Sequence, residues 1–391
     1  MENISKIAES NRARIKKQAA TVLTAAKESV KRFGLDIDKE PAFTDTENMD
    51  FVKLRESAYR HAANVKESNA EGMFSALLKA GLNIMANKWY TGAVPTVHEQ
   101  IALVTTSNKA VEPYAPLQRL DLPSRVGKGE RFKETAMVGL DVQIRNYKNG
   151  QIVNFERELF DDDQSNQIKQ KAEELTSNMP LWENIYFAYR FLGAAASYAG
   201  RVIPASETFS TIWASAATGI ANVISSPNRP ATYVVFGADG LLAAERALMG
   251  MKDALGNKML VQPDTIYHGI SNFQSVRTLM NSAFYPFTSA LKAGGTGGAD
   301  TGIGAVHAEN VLKGAYKPVM DRFFTDYGWA LGEAGKGMVF QRRDPTEIIQ
   351  ENPMSGEAFS ADGYRFKSRA RWETDWVGLG FWYLGNDGSV H

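Results

Sequence analysis

The chain of 391 residues contains no cysteine. That excludes a disulfide scaffold, thiolate metal sites, iron–sulfur clusters and cysteine nucleophiles together. Its five histidines, His61, His98, His268, His307 and His391, are far apart and form no HExxH pair. An excess of one charge is also missing: 44 Lys and Arg balance 44 Asp and Glu. A dedicated nucleic-acid binder is usually markedly basic, so this balance argues against one, and it removes the like-charge repulsion that keeps copies apart. Long apolar runs are absent too. The most apolar stretch, Ile212 to Ile224, is interrupted by Ser, Thr, Gly and Asn and is too short to span a bilayer. The first residues lack the apolar segment of a signal peptide, so the expectation is a soluble protein of a reducing cytoplasm. No Gly-Lys-Ser/Thr follows the glycine-rich stretch Gly294–Gly304, which therefore reads as a surface loop rather than a phosphate cradle. No GxSxG elbow and no repeat at a solenoid period occur.

What is present is a mixed α+β pattern. With 44% hydrophobic residues the chain can bury a core. Ile15, Ala19, Val22, Ala26, Val30 and Phe33 recur at helical steps, and Gly34 follows as a stop. Residues 1–32 carry eight Lys and Arg against three acids, whereas residues 35–50 carry six acids against Lys39 alone. Two readings stand for this region: an amphipathic helix lying on its own domain, or an arm reaching a neighbouring subunit. Residues 51–92 continue helical, with Phe74, Leu77, Leu78, Leu82 and Met85 on one stripe. Residues 93–135 are irregular and rich in proline.

Val138, Leu140, Val142 and Ile144 alternate with polar residues, Asn149-Gly150 follows, and Val153, Phe155, Arg157 and Leu159 alternate again. This predicts a hairpin turning at Asn149-Gly150. The triplet Asp161–Asp163 reads as the start of a long helix running to about Ala199, kinked or restarted at Pro180. Beyond it, Ala231–Phe236 and Met259–Val261 are expected as strands. A helix from Asp239, with Leu241, Leu248 and Leu255 on its face, lies between them. In the last segment Tyr364, Phe366, Ser368, Ala370 and Trp372 share one strand face, and Arg365, Lys367, Arg369 and Arg371 share the other. That basic face reads as solvated, or as facing a partner whose acids balance it.

Three segments, in this order, carry a resemblance: Phe155–Asp163, Leu241–Pro263 and Glu347–Trp372. The chain over about 110–390 resembles the major capsid proteins of tailed phages, the Hong Kong 97-type fold, and within it the Mu-like major head subunits. The resemblance implies an N-terminal helical arm (1–65), the first part of a peripheral domain (66–111) and an extended β-hairpin loop (112–160). A spine helix (161–204), an axial domain (205–335) and C-terminal strands returning to the peripheral domain (336–391) follow. It implies self-assembly of pentamers and hexamers into an icosahedral shell around double-stranded DNA, without sequence-specific binding, membrane or cofactor. Such a shell is assembled in the host cytoplasm with scaffolding, portal and decoration proteins as further partners. The candidate intersubunit contacts are Arg145, Lys148, Arg157, Arg365, Lys367, Arg369 and Arg371; no catalytic, cofactor or metal residue stands out. An encapsulin-type compartment, or a cytosolic enzyme with a chain-distant active site, are the competing readings.

Overall fold

The computed structural model describes residues 2–31, 58–60, 74, 77–84, 86, 96–114, 125–126, 128, 131, 142–156, 167–216, 219–220, 223–283, 309–351 and 363–388. They form an α+β fold of two four-stranded sheets joined by one continuous core. Arg157, the Asp161–Asp163 triplet and the Gly294–Gly304 stretch lie outside the described residues.

The chain opens with helix α1 (Glu2–Lys31), as the periodicity requires. It lies on its own chain. Asn11 Nδ2 donates to the carbonyls of Glu99 (3.0 Å) and Ala102 (3.1 Å), and Arg14 donates to Val104 O at 2.7 Å. Ile15 is buried in the core beside them. Of the two sequence readings, the helix on its own domain describes these contacts. Helix α2 (Val97–Ile101) and strand β1 (Leu103–Thr106) supply the other side of this joint.

Strands β2 (Val111–Tyr114) and β3 (Val142–Arg145) pair antiparallel, Val111 opposite Arg145 and Tyr114 opposite Val142. Their pairing brings together the two ends of the segment 115–141, where the resemblance expects the extended loop. The hairpin expected at Asn149-Gly150 is not there. Both residues lie inside strand β4 (Tyr147–Glu156), opposite Ala370 and Arg369 of the last long strand. Glycine serves close approach here rather than a turn: a Cβ on Gly150 would stand 2.5 Å from Ser368 O.

Helix α3 (Gln167–Leu192) runs through Pro180 as one element, so the chain does not restart a helix there. It stops at Gly193, whose φ of +79° favours glycine, and not near Ala199. A small hairpin follows instead, β5 (Ala196–Tyr198) and β6 (Arg201–Ile203). Its two-residue turn, Ala199-Gly200, has positive φ at both positions, the geometry the Asn149-Gly150 pair had promised elsewhere.

Helix α4 (Ala238–Met249) buries Leu241, Ala244 and Leu248 and ends at Gly250, which leaves Leu255 outside the helix and half exposed. Strand β7 (Thr265–His268) leads through a short 3₁₀ turn into helix α5 (Phe273–Asn281). Strands β8 (Lys317–Met320) and β9 (Trp329–Gly332) then flank β7, one parallel and one antiparallel. The strands expected over 231–236 and 259–261 do not form. Val234 N makes one backbone bond to Gly385 O, and Val235 and Leu260 face outward, so neither segment has a ladder to join.

The chain closes with β10 (Met338–Gln350), β11 (Gly363–Trp376) and β12 (Trp382–Asn386). The first sheet runs β1-β10-β11-β4 and the second β12-β9-β7-β8. β10 slips register on either side of Asp344, where Pro345 cannot donate to the ladder. Residues 336–391 therefore do not all return to one sheet. β12 pairs with β9 in the second, because Trp382 and Leu384 bury against that core.

Candidate subunit-contact surface

The alternation read from the last segment holds along β11. Tyr364, Phe366, Ser368, Ala370 and Trp372 are buried, whereas Lys367 is exposed and Arg365, Arg369 and Arg371 are partly exposed. Antiparallel register then places β4 residues on the same outer face: Lys148 opposite Arg371, Gly150 opposite Arg369, Ile152 opposite Lys367. On the other flank, β10 sets Asp344 opposite Arg371 and Glu347 opposite Arg369.

Five of the seven candidates therefore converge on one sheet face. Arg145 stands apart on β3, in another sheet, and Arg157 is outside the described residues. The acids that balance this face belong to the same chain. Arg369 and Arg371 share Asp344 at 3.2 and 3.4 Å, and Arg365 reaches Glu351 at 3.4 Å. Such half-exposed pairs contribute about 0–1 kcal/mol each. They orient the face more than they stabilise it. Lys148 and Lys367 have no ion pair among the described residues.

Beneath the sheet lies a layer of charge that pattern reading missed. Arg190, near the end of α3, is fully buried. Its guanidinium donates to Asp375 Oδ2 at 2.8 Å and approaches Glu373 at 3.5 Å. It also donates to the carbonyls of Thr374, Pro204 and Ala205. Asp375 accepts in turn from Ser206 Oγ (2.6 Å) and Glu207 N (2.9 Å). One residue of the long helix thus fixes both β11 and the segment that leaves for the second sheet. A second buried pair sits further back along α3: Arg342 of β10 donates to Glu183 Oε2 at 2.6 Å. His98 stacks on Phe340 at 4.2 Å beside this pair. Burial, with the Arg342 charge, pulls its pKa down to about 3, so it is neutral at ordinary pH.

Glu373 is pushed up to about 7 by burial, against the opposing pull of Arg190. A raised carboxylate contributes stability that is fully present below its unfolded value of 4.5 and is lost as pH rises through its folded value. The stability difference between the wild type and Glu373→Gln should therefore shift against the wild type from pH 4.5 to 7 and level off above. Urea unfolding of both proteins across that range measures it. A difference that does not change with pH would mean Glu373 titrates normally.

Signals for this layer existed in the sequence. Glu183, Phe187 and Arg190 share one helical stripe, so two charges sit where the pattern asks for apolar side chains. Among the described residues, no group of three His, Cys, Asp or Glu could hold a metal ion, and no helix is long and apolar enough to cross a membrane.

Among solved structures, the chains similar to this one come from capsids and phage particles. The capsid of a native GTA particle, computed with C5 symmetry, is 15% identical with a TM-score of 0.49, over 75% of this chain and 91% of that one. The capsid of the empty GTA particle gives the same identity and TM-score, over 75% and 90%. A chain of Mycobacterium phage Cain is 13% identical with a TM-score of 0.44, over 74% and 89%. No protein-family model and no curated protein matches the chain.

Proposed function

We propose that this chain is the major capsid protein of a tailed-phage head, a structural subunit whose copies close into an icosahedral shell around double-stranded DNA. One observation carries the reading: the order and placing of its elements. A docked N-terminal helix is followed by the paired base of an excursion, a long helix against one sheet, and a second sheet with its own two helices. The sequence resemblance to Hong Kong 97-type subunits demands the same order. In this reading the first sheet and α3 form the peripheral domain, and the second sheet with α4 and α5 forms the axial domain at the five- and six-fold vertices. The excursion that starts at β2 and returns at β3 lies over a neighbour.

The physics suits a shell. Large assemblies hold by many moderate, repeated interfaces that close by symmetry, and a projecting excursion enlarges contact without enlarging the core. A neutral chain lets copies pack side by side. Expression of the chain, followed by negative-stain electron microscopy, tests the proposal. Closed polyhedral shells or rings of five and six subunits are expected. Open tubes would place it among tail proteins, and shells loaded with enzyme in place of DNA would make it a compartment protein. A chain that stays monomeric at every concentration, with head-assembly partners present, overturns the reading.

A further inference from the structure

β4 is the outermost strand of the first sheet: among the described residues it has a strand neighbour, β11, on one side only. Along Lys148–Gln151 this edge borders a cleft of about 390 Å³, walled by α3 and the β5–β6 hairpin. Trp182, Ile185 and Tyr198 supply its aromatic and apolar lining. Two cations stand beside them, Lys148 on β4 and Arg201 on β6. Both are exposed, and neither has an ion pair among the described residues. Arg201 lies over the Trp182 ring, 5.9 Å from its centroid. The neighbouring row on β11 differs: Arg365, Arg369 and Arg371 each have an acid of their own chain. The cleft cations have been given none.

The uncharged polar groups of the lining are donors too. Trp182 Nε1 donates to Asn149 Oδ1 at 3.2 Å, and Asn178 Nδ2 donates to Gln151 Oε1 at 3.3 Å. Those bonds engage the two side-chain oxygens and leave the amide nitrogens of Asn149 and Gln151 to donate. Ser368, opposite Gln151 on β11, also lines the cleft and is 1% exposed. Its hydroxyl has no hydrogen-bond partner among the described residues. A buried hydroxyl left unpaired is costly, and a bound acceptor would pair it. Two free cations, two amide donors and a spare hydroxyl select an anion.

We infer that this cleft binds a short acidic segment of a partner protein, with its carboxylates at Lys148 and Arg201 and an apolar or aromatic side chain on Trp182. A cavity of this volume takes a few side chains, so the occupant is a linear segment. The folded face of another copy would need about 800 Å² of surface on each side. A peptide fits this edge better than a nucleic acid does. β4 runs extended along the cleft, and its backbone groups match the spacing of a second backbone, not that of a sugar–phosphate chain. A chain of zero net charge also lacks the long-range field that draws a polyanion. The inference goes beyond the shell reading and does not depend on it.

Fluorescence anisotropy of the full-length chain tests it with a labelled, end-blocked peptide Glu-Asp-Phe-Asp-Glu. Its neutral counterpart Gln-Asn-Phe-Asn-Gln and a short single strand of thymidines serve as the other probes. The acidic peptide is expected to bind, and the neutral one to bind about tenfold more weakly or worse. Lys148→Gln with Arg201→Gln is expected to cost the acidic peptide about tenfold or more in affinity. Lys367→Gln removes an equally unpaired lysine away from the lining and is expected to change nothing. A wild type that does not bind the acidic peptide, or a double variant that binds it equally well, overturns the inference and leaves the shell reading standing. A thymidine strand that binds more tightly and is lost in the double variant makes the cleft a nucleic-acid site. Self-association lost in the double variant puts a second copy there; either result overturns the inference. Both cations are exposed, and Lys148→Ala and Arg201→Ala singly replace the double variant should that one not fold.

Discussion

Replacing Arg190 by alanine is expected to cost about 3–5 kcal/mol of unfolding free energy, read from urea midpoints at pH 7. The loss comes less from the attraction removed than from what remains. Asp375 would stay fully buried with its cation gone, and the Thr374, Pro204 and Ala205 carbonyls would lose a donor. Adding Asp375→Asn to Arg190→Ala is expected to cost much less than the two separate losses combined, because it removes the stranded charge. Additive losses would show that the two groups do not act as a pair. Folded domains are stable by only about 5–15 kcal/mol, so the single variant should sit near the edge of folding.

Phe191→Ala carries the next largest expected effect, about 3–5 kcal/mol. Its ring touches Trp213, Tyr267, Phe324, Trp376 and Trp382 at centroid distances of 4.9 to 5.8 Å. Trp376 ends β11 in the first sheet, while Tyr267 and Trp382 lie in β7 and β12 of the second. One side chain thus closes the seam between the sheets, and aromatic rings of this size cannot collapse into the space it leaves. Near-ultraviolet circular dichroism should lose intensity in proportion, because five of the rings lose a fixed neighbour. A loss below about 1 kcal/mol would show that the seam relaxes around the missing ring.

The parts that sequence alone disclosed are those with one wet and one dry face. β11 was legible because four cations alternate with Tyr364, Phe366, Ser368, Ala370 and Trp372 along a half-solvated strand. α1 was legible from its periodicity. Asn149-Gly150 misled because a turn signal is local, whereas β4 is held straight by ten residues of pairing with β11. Ala231–Phe236 has strand composition, yet strand formation needs a free ladder, and β12 offers this segment one backbone bond. The buried charges of α3 show in sequence only as residues in the wrong place. Their partners, Asp375 and Arg342, are more than 150 positions away. Of the contact surface, the β11 row could be read directly, but that Lys148 joins it, and that Arg369 and Arg371 already share Asp344, depends on pairing between distant strands.

The position of β11 has a consequence for how the chain is made. β11 stands between β10 and β4, and β12 completes the other sheet only a few residues later. Until β11 has been made, β4 has no strand partner among the described residues and the first sheet is split in two. At some 5–20 residues per second, the stretch between β4 and β11 keeps that gap open for about 10–40 s. A product cut short between Arg145 and Gly363 keeps the docked helix and the β2–β3 pair but completes neither four-stranded sheet. Such a product also lacks the basic row of β11, so the whole charged face exists only in chains that have completed this strand.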